Sequence, residues 1–380
     1  MDGSRFDAIV VGVGGMGSAT LYHLASRGRR VLGIERFAIP HERGSSHGIT
    51  RIIRLAYYED PSYVPLLRRA YELWRALQQA LGQQLLYVTG SIDAGPPDSQ
   101  VFAASRRSCE LHGLPHEILT SAALSRRFPG YHLPSATLAV FQPEGGFLLP
   151  ERCIEAHVVL ARARGAEVHQ DERVLDWEPR ASGVRVRTDR AVYEAERLVI
   201  TAGAWAGSLV EPLRTLAIPE RQVVAWLQPR RPELFLPESF PVFNLVVPEG
   251  HYYGLPAFGI PGFKVGRYHH REERVDPDRI DRRVHRLDEE ILRQFAERYF
   301  PDGAGETLST SVCMFTNTPD EHFLIGLHPS YPQVSFAAGF SGHGYKFCSV
   351  VGEIMADLAE RGATRHDIRL FRLERFSRNG

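Results

Sequence analysis

The chain has 380 residues, with 45 basic and 45 acidic side chains and therefore no net charge, and it is 43% hydrophobic. That balance lacks the positive surplus that dominates nucleic-acid affinity, and a composition near the globular average excludes a disordered, collagen-like or disulfide-scaffold protein. The length suffices for two domains around separate cores.

The N-terminal Asp2 leads into an apolar run broken by glycines, too short and too acid-flanked for a signal peptide or a membrane span, so a cytoplasmic protein without a membrane partner is expected. Residues 6–11 read as a strand, Gly12 to Gly17 as a tight turn, Ser18 to Arg27 as a helix stopped by Gly28, and residues 30–35 as a second strand ending in Glu35, with Arg36 just after it as a further candidate cofactor contact. In that frame Gly12 permits the turn, Gly14, Gly15 and Met16 leave the backbone open to a phosphate, Gly17 lets helix and strand pack, and Glu35 is placed for ribose hydroxyls. A glycine-rich turn with no nucleotide is the alternative. A polar loop, Gly44-Ser45-Ser46-His47-Gly48, precedes Thr50, Arg51 and Arg54. On a helical turn the two arginines would share one face as an anion clamp; in a chain whose basic residues are nearly all arginine, a chance pair is the other reading. A long amphipathic helix is expected from Val64 to Leu81; Gly95-Pro96-Pro97 and the stretch from Phe128 to Pro150 then read as an inserted segment of short strands.

After Glu151 the pattern returns to alternating helix and strand: a helix to Arg164, a hairpin over 184–188 and 191–194, and a buried strand over 197–205. From Arg221 to about Thr316 the chain is β-rich and proline-broken, with strands at 222–228, 242–247, 251–254 and 262–266 and a charged helix at 288–299. A last buried strand, 333–338, runs into Gly339-Phe340-Ser341-Gly342-His343-Gly344-Tyr345-Lys346 and a helix over 347–358. The expected fold is α/β: a discontinuous Rossmann-like nucleotide domain formed by 1–85, 150–220 and 320–380, and an inserted, β-sheet-rich α+β domain for substrate formed by 86–149 and 221–319. Recurrence of the nucleotide fold at both ends and in the middle points to a flavin rather than a nicotinamide. The loop before the last helix then seats the negative charge of a reduced flavin at a helix N-terminus.

Two further features stand out. Lysine occurs only at Lys264 and Lys346, each in a glycine- and aromatic-rich stretch rather than on a charged helix face. Lysine offers a compact ammonium whose pKa burial can shift, which arginine does not. The cysteines Cys109, Cys153, Cys313 and Cys348 form no CxxC pair and the histidines no ligand-spaced set, so neither a metal nor a disulfide framework is expected.

The Gly12–Gly17 fingerprint, the run from Gly44 to Arg54, Tyr252-Tyr253-Gly254, Val312-Cys313-Met314-Phe315-Thr316, Asp320-Glu321-His322-Phe323 and Ala338 to Lys346 together resemble the sarcosine, N-methyltryptophan and pipecolate oxidase family of FAD-dependent amine oxidases over nearly the whole length. The resemblance implies FAD, carried as a thioether on Cys313 with Arg51 as the cation that holds charge on the ring; taken alone, Cys313 would read as a buried structural thiol. It implies Arg54 and Lys346 as the seat of the substrate carboxylate, Lys264 as the cation that activates oxygen, and His269 near the substrate amine with Tyr253 lining the pocket. Ser45, His47, Thr50, Gly342, His343 and Gly344 fall among the implied cofactor contacts. The chain departs from the family in two places. Arg267 lengthens the spacing from Lys264, leaving either Tyr268 or His269 to face the substrate, and Phe315 stands where a tyrosine is common. The implied reaction is oxidative demethylation of sarcosine, or a similar secondary amino acid, by O2 and water to glycine, formaldehyde and hydrogen peroxide, in a monomer. N-methyltryptophan, L-pipecolate or another cyclic imino acid are alternative substrates, and a dehydrogenase with a non-oxygen acceptor is an alternative activity. From a different class, a non-catalytic nucleotide-binding protein would leave the placement of both lysines unexplained.

Overall fold

The computed structural model describes residues 5–376, and Asp2 lies outside them. The first strand, β1 (Phe6–Val11), is buried at every position but Asp7. It pairs in parallel with β2 (Val31–Ile34) on one side and with Val192–Ile200 on the other, at the centre of an eight-stranded sheet. Strand Tyr331–Ala338 adds in parallel beyond Val192–Ile200. The ends of β1, β2, Val192–Ile200 and Tyr331–Ala338 thus share one edge, where open parallel sheets bind ligands. The expected hairpin arm and buried strand are one nine-residue strand, Val192–Ile200, whose first half pairs antiparallel with Gly183–Thr188 and whose second half enters the parallel core. Helix α1 (Gly15–Ser26) lies against helices Pro150–Arg162 and Cys348–Arg361. A Cβ on Gly352 would come 2.5 Å from that of Ala19, so glycine is what lets these helices touch.

Arg51 and Arg54 do not share a helical turn. β3 (Arg51–Ile53) is a strand, paired with Gly146–Leu148, which in turn pairs with Leu86–Val88. The β-branched pair Ile52-Ile53 favours the extended backbone. Helix α2 (Val64–Leu81) spans the expected residues and ends on Gly82 in the left-handed region, φ +69°.

The second eight-stranded sheet runs in the order Thr307–Asn317, Ile218–Leu227, Phe263–Arg267, Gly250–Leu255, Val242–Val247, Ser91–Gly95, Leu138–Gln142 and Glu117–Thr120. An aromatic core including Phe235, Phe240, Phe243, Phe263, Phe295 and Phe300 packs beneath helix Arg286–Tyr299. Between Gly95-Pro96-Pro97 and Phe128, where the sequence pattern assigns no element, lie helices Gln100–His112 and Ser121–Arg127, capped by the side chains of Ser99 and Thr120. Their polar composition conceals the apolar stripe of Val101, Phe102 and Cys109. Among the described residues no helix is long and apolar enough to cross a membrane.

Candidate active site

One long cavity begins at the shared edge of the parallel strands and ends against the second sheet. At its first end the wall is backbone. Gly12 adopts φ +87°, and a Cβ there would meet the Thr201 carbonyl at 2.6 Å. Gly17 lies behind the lining, where a Cβ would stand 1.8 Å from the Gly12 oxygen. Gly14 has nothing within 4 Å of its missing Cβ, and α1 begins there without a side-chain cap. The helix therefore offers free N–H groups and the positive end of its dipole to the cavity. Glu35 is buried and accepts from Val13 N (2.8 Å) and Phe37 N (3.1 Å), which holds its carboxylate beside the turn. Arg36 pairs with Asp278 at 2.6 Å.

In the middle, Arg51 donates to the carbonyls of Thr50 (3.0 Å) and Ser45 (2.9 Å). Lys264 donates to the carbonyls of Gly48 (2.6 Å) and Thr50 (2.9 Å), while Glu151 accepts from the N–H groups of Gly48 and Ile49. This loop presents its carbonyls to the ammonium because its N–H groups are taken by Glu151. Burial, and then Arg51, drive the Lys264 pKa well below that of a free lysine. Cys313, buried on strand Thr307–Asn317, does not line the cavity, although Met314, Phe315 and Thr316 after it do. Burial raises its thiol pKa while Arg51, Lys264 and Arg282 oppose the rise.

At the far end stand charged side chains. Arg54, 1% exposed, donates to both oxygens of Glu59 (2.9 and 2.8 Å) and to the Ala56 carbonyl, lies 3.9 Å from Asp93, and sits between the rings of Tyr57 and Tyr58. Burial alone would raise the Glu59 pKa, but Arg54, His343 and Lys346 outweigh it and hold the carboxyl at about 2. Lys346 donates to the His343 carbonyl at 2.7 Å, and burial, with Arg54, lowers its pKa to about 7. His343 donates from Nε2 to the Glu321 carbonyl (2.9 Å), leaving Nδ1 to accept the Tyr57 hydroxyl (2.6 Å). Burial lowers the His343 pKa to about 4.

Of the residues singled out in the sequence, Gly12, Gly14, Gly15, Met16, Glu35, Arg36, Ser45, Thr50, Arg51, Arg54, Tyr253, Lys264, Gly342, His343, Gly344 and Lys346 all line this cavity. His47 is buried outside the lining, with Nε2 unpartnered and its pKa lowered to about 3 by burial and by Arg51 and Lys264. His269 does not line it. The cavity position belongs to Tyr268, four residues after Lys264 on the same face of the extended chain. His269, at φ +49°, turns away between Glu220 (3.1 Å) and Glu321 (2.9 Å), whose hydrogen bonds raise its pKa to about 10.

Three lining or supporting groups escaped the sequence reading: Glu59, Asp93 and Asn244. Asp93 interrupts the buried strand Ser91–Gly95 and Asn244 the buried strand Val242–Val247. A polar residue inside an apolar strand pattern was the available signal.

The glycine cradle, the uncapped helix and the Glu35 carboxylate fit the diphosphate and ribose of a dinucleotide, and the same cavity is lined further along by the buried Lys264 and Lys346. Comparison with known proteins agrees. The family described as FAD dependent oxidoreductase matches residues 7–358. The chain is 44% identical over 371 residues to the monomeric sarcosine oxidase of Streptomyces avermitilis, covering 96% of each. It is 36% identical over 381 residues to the peroxisomal sarcosine oxidase of Homo sapiens, covering 98% of this chain and 96% of that one. The structure of NikD, described as an unusual amino acid oxidase, superposes with a TM-score of 0.84 at 26% identity over 97% of each chain. The chain therefore belongs to the FAD-dependent oxidoreductase family, in its sarcosine oxidase branch.

Proposed function

We propose that the protein is a sarcosine oxidase: with bound FAD it oxidises sarcosine, or a similar secondary amino acid, to an imine that water converts to glycine and formaldehyde, with O2 reduced to hydrogen peroxide. The observation that carries this reading is a buried pair of cations, Arg54 and Lys346, at the far end of a cavity whose other end is a dinucleotide cradle. FAD, when bound, supplies the two-electron acceptor for the substrate C–H bond and returns those electrons to oxygen.

The chain's own residues do the rest. Arg54 offers a planar fork and Lys346 a point charge, a combination suited to a carboxylate. Anchoring that group fixes where the N-methyl carbon points, which converts binding into orientation. A substrate amine bound as the free base needs no carboxylate base to take its proton. Lys264 places an amino group whose proton burial and Arg51 loosen where oxygen gains negative charge, so that its ammonium form is favoured as that charge grows, an electrostatic arrangement worth most in a dry site. Burial raises the Cys313 thiol pKa, and Arg51, Lys264 and Arg282 oppose that rise, which is the electrostatic support for this cysteine as the covalent anchor of FAD. The same reading takes the protein to act as a monomer in the cytoplasm.

The test is to add sarcosine without oxygen to the purified yellow protein, follow the flavin absorbance, and then admit air. Bleaching, followed by rapid recovery with peroxide, is expected. Bleaching only with N-methyltryptophan or pipecolate would move the substrate, and slow recovery in air would make the protein a dehydrogenase.

A further inference from the structure

Asn244 lies in the middle of a buried strand, 1% exposed, directly opposite Asp93 on one neighbouring strand and Tyr253 on the other. Asp93 is fully buried and receives two hydrogen bonds, from Asn244 Nδ2 to Oδ1 (2.8 Å) and from Ser105 Oγ to Oδ2 (2.8 Å). Burial raises the Asp93 pKa while Arg54, Asn244 and Ser105 oppose the rise; as a carboxylate Asp93 only accepts, which sets the Asn244 amide with its NH2 on Asp93 and its Oδ1 turned the other way. That oxygen meets only the Tyr268 hydroxyl, at 3.5 Å, a long contact that leaves it with unused accepting capacity in the cavity wall. Arg54 Nε approaches the same Asp93 oxygen at 3.9 Å, so the carboxylate seat and the Asn244 amide share one buried anchor. The lining around Asn244 includes Tyr253, Leu255, Tyr268, Phe315 and Thr316, whose Oγ1 is buried without a partner.

An amino acid of the sarcosine type has one charged acceptor group and one donor group. Arg54 and Lys346 take the first. We propose that Asn244, oriented by Asp93, accepts the substrate's amine N–H and so selects carboxylic acids bearing an N–H donor one carbon from the carboxyl. This rests on the amino acid oxidase reading above. A buried acceptor left facing an ether or thioether meets lone pairs instead of a proton, and buried polar groups of this kind reject the analogue that lacks the hydrogen bond. Asn244 is on this account a positioning residue for the amine, and Asp93 for Asn244.

The experiment compares sarcosine with methoxyacetate, in which an ether oxygen replaces the amine. The Kd for sarcosine is read from the concentration dependence of anaerobic flavin bleaching, and that for methoxyacetate from competition. The wild-type protein is expected to bind methoxyacetate about tenfold more weakly than sarcosine. In Asn244→Val the sarcosine Kd is expected to rise about five- to tenfold while that for methoxyacetate stays level or falls. A general structural defect would weaken both ligands together and overturn the assignment, as would an unchanged sarcosine Kd in the variant. Should the variant not retain flavin, equal affinities in the wild-type protein overturn it without any substitution. No bleaching by any secondary amino acid would instead defeat the oxidase reading itself, which separates the two failures.

Discussion

The two ends of the cavity are built on opposite principles. At the phosphate turn the groups that face a ligand are backbone N–H donors, exposed because side chains are missing at Gly12, Gly14 and Gly17. At the substrate end they are charged side chains almost wholly removed from water, and each cation has been given company: Arg54 has Glu59 and Asp93, and Lys346 has the His343 carbonyl. The first end tolerates no added atom at Gly12 or Gly17; the second tolerates no removed charge. A single methyl group is the decisive perturbation at one, and a single truncated cation at the other.

The largest effect is therefore expected from Gly17→Ala. With no room between α1 and the Gly12 carbonyl, the purified variant should lack the flavin absorbance altogether, and a yellow variant would break the contrast. Cys313→Ala should move all the flavin colour into the supernatant after acid precipitation, whereas the wild-type colour stays with the pellet; wild-type colour in the supernatant would remove the covalent anchor. Lys264→Met should slow reoxidation of the substrate-reduced enzyme by air about 10²–10³-fold with little change in anaerobic bleaching, the range seen when one preorganised electrostatic partner is lost. Equal slowing of both steps would contradict its role with oxygen.

Arg54→Ala should raise KM for sarcosine roughly 10- to 100-fold through the loss of charge-assisted hydrogen bonds. It should also lower stability by about 3–5 kcal/mol, because Glu59 and Asp93 remain buried without their cation. A raised KM with an unchanged Tm would mean that the two carboxylates are not balanced by Arg54. The smallest effect is expected outside the cavity. His269 has its pKa raised to about 10 by Glu220 and Glu321, so its contribution to stability is complete below about pH 6.5 and is lost as pH rises through about 10. Tm should decline across that interval in the wild-type protein and more gently in His269→Gln; parallel declines would detach His269 from the effect.

The same contrast explains what could be read without coordinates. The phosphate turn is legible because its chemistry depends on residues adjacent in the chain, Gly12 to Gly17 and then Glu35. The two lysines are legible by rarity. Asp93 and Asn244 were passed over because they act across strands: they are 151 residues apart in sequence yet opposite in register. Glu59 carries no sequence signal of its own, and only the fold brings it back onto Arg54. The ambiguity between Tyr268 and His269 was a matter of one residue of phase, and on an extended chain one residue decides between the two sides. Helix Gln100–His112 was missed for a different reason, since its buried face is narrow and partly made of serines.

The order of strands in the first sheet also sets a timetable for synthesis. β1 needs Val192–Ile200 as a neighbour, that strand needs Tyr331–Ala338, and the cavity lining runs from Val11 to Cys348. A growing chain thus carries its nucleotide turn out of the ribosome more than three hundred residues before the opposite wall exists. Until then the apolar strand β1 and the glycine turn have no complete partner, which is the interval in which chaperones matter and the cofactor has nowhere to dwell. Flavin uptake by this protein is in that sense a late event of its manufacture, and arrested chains of increasing length should acquire the cofactor only after residue 348 has emerged.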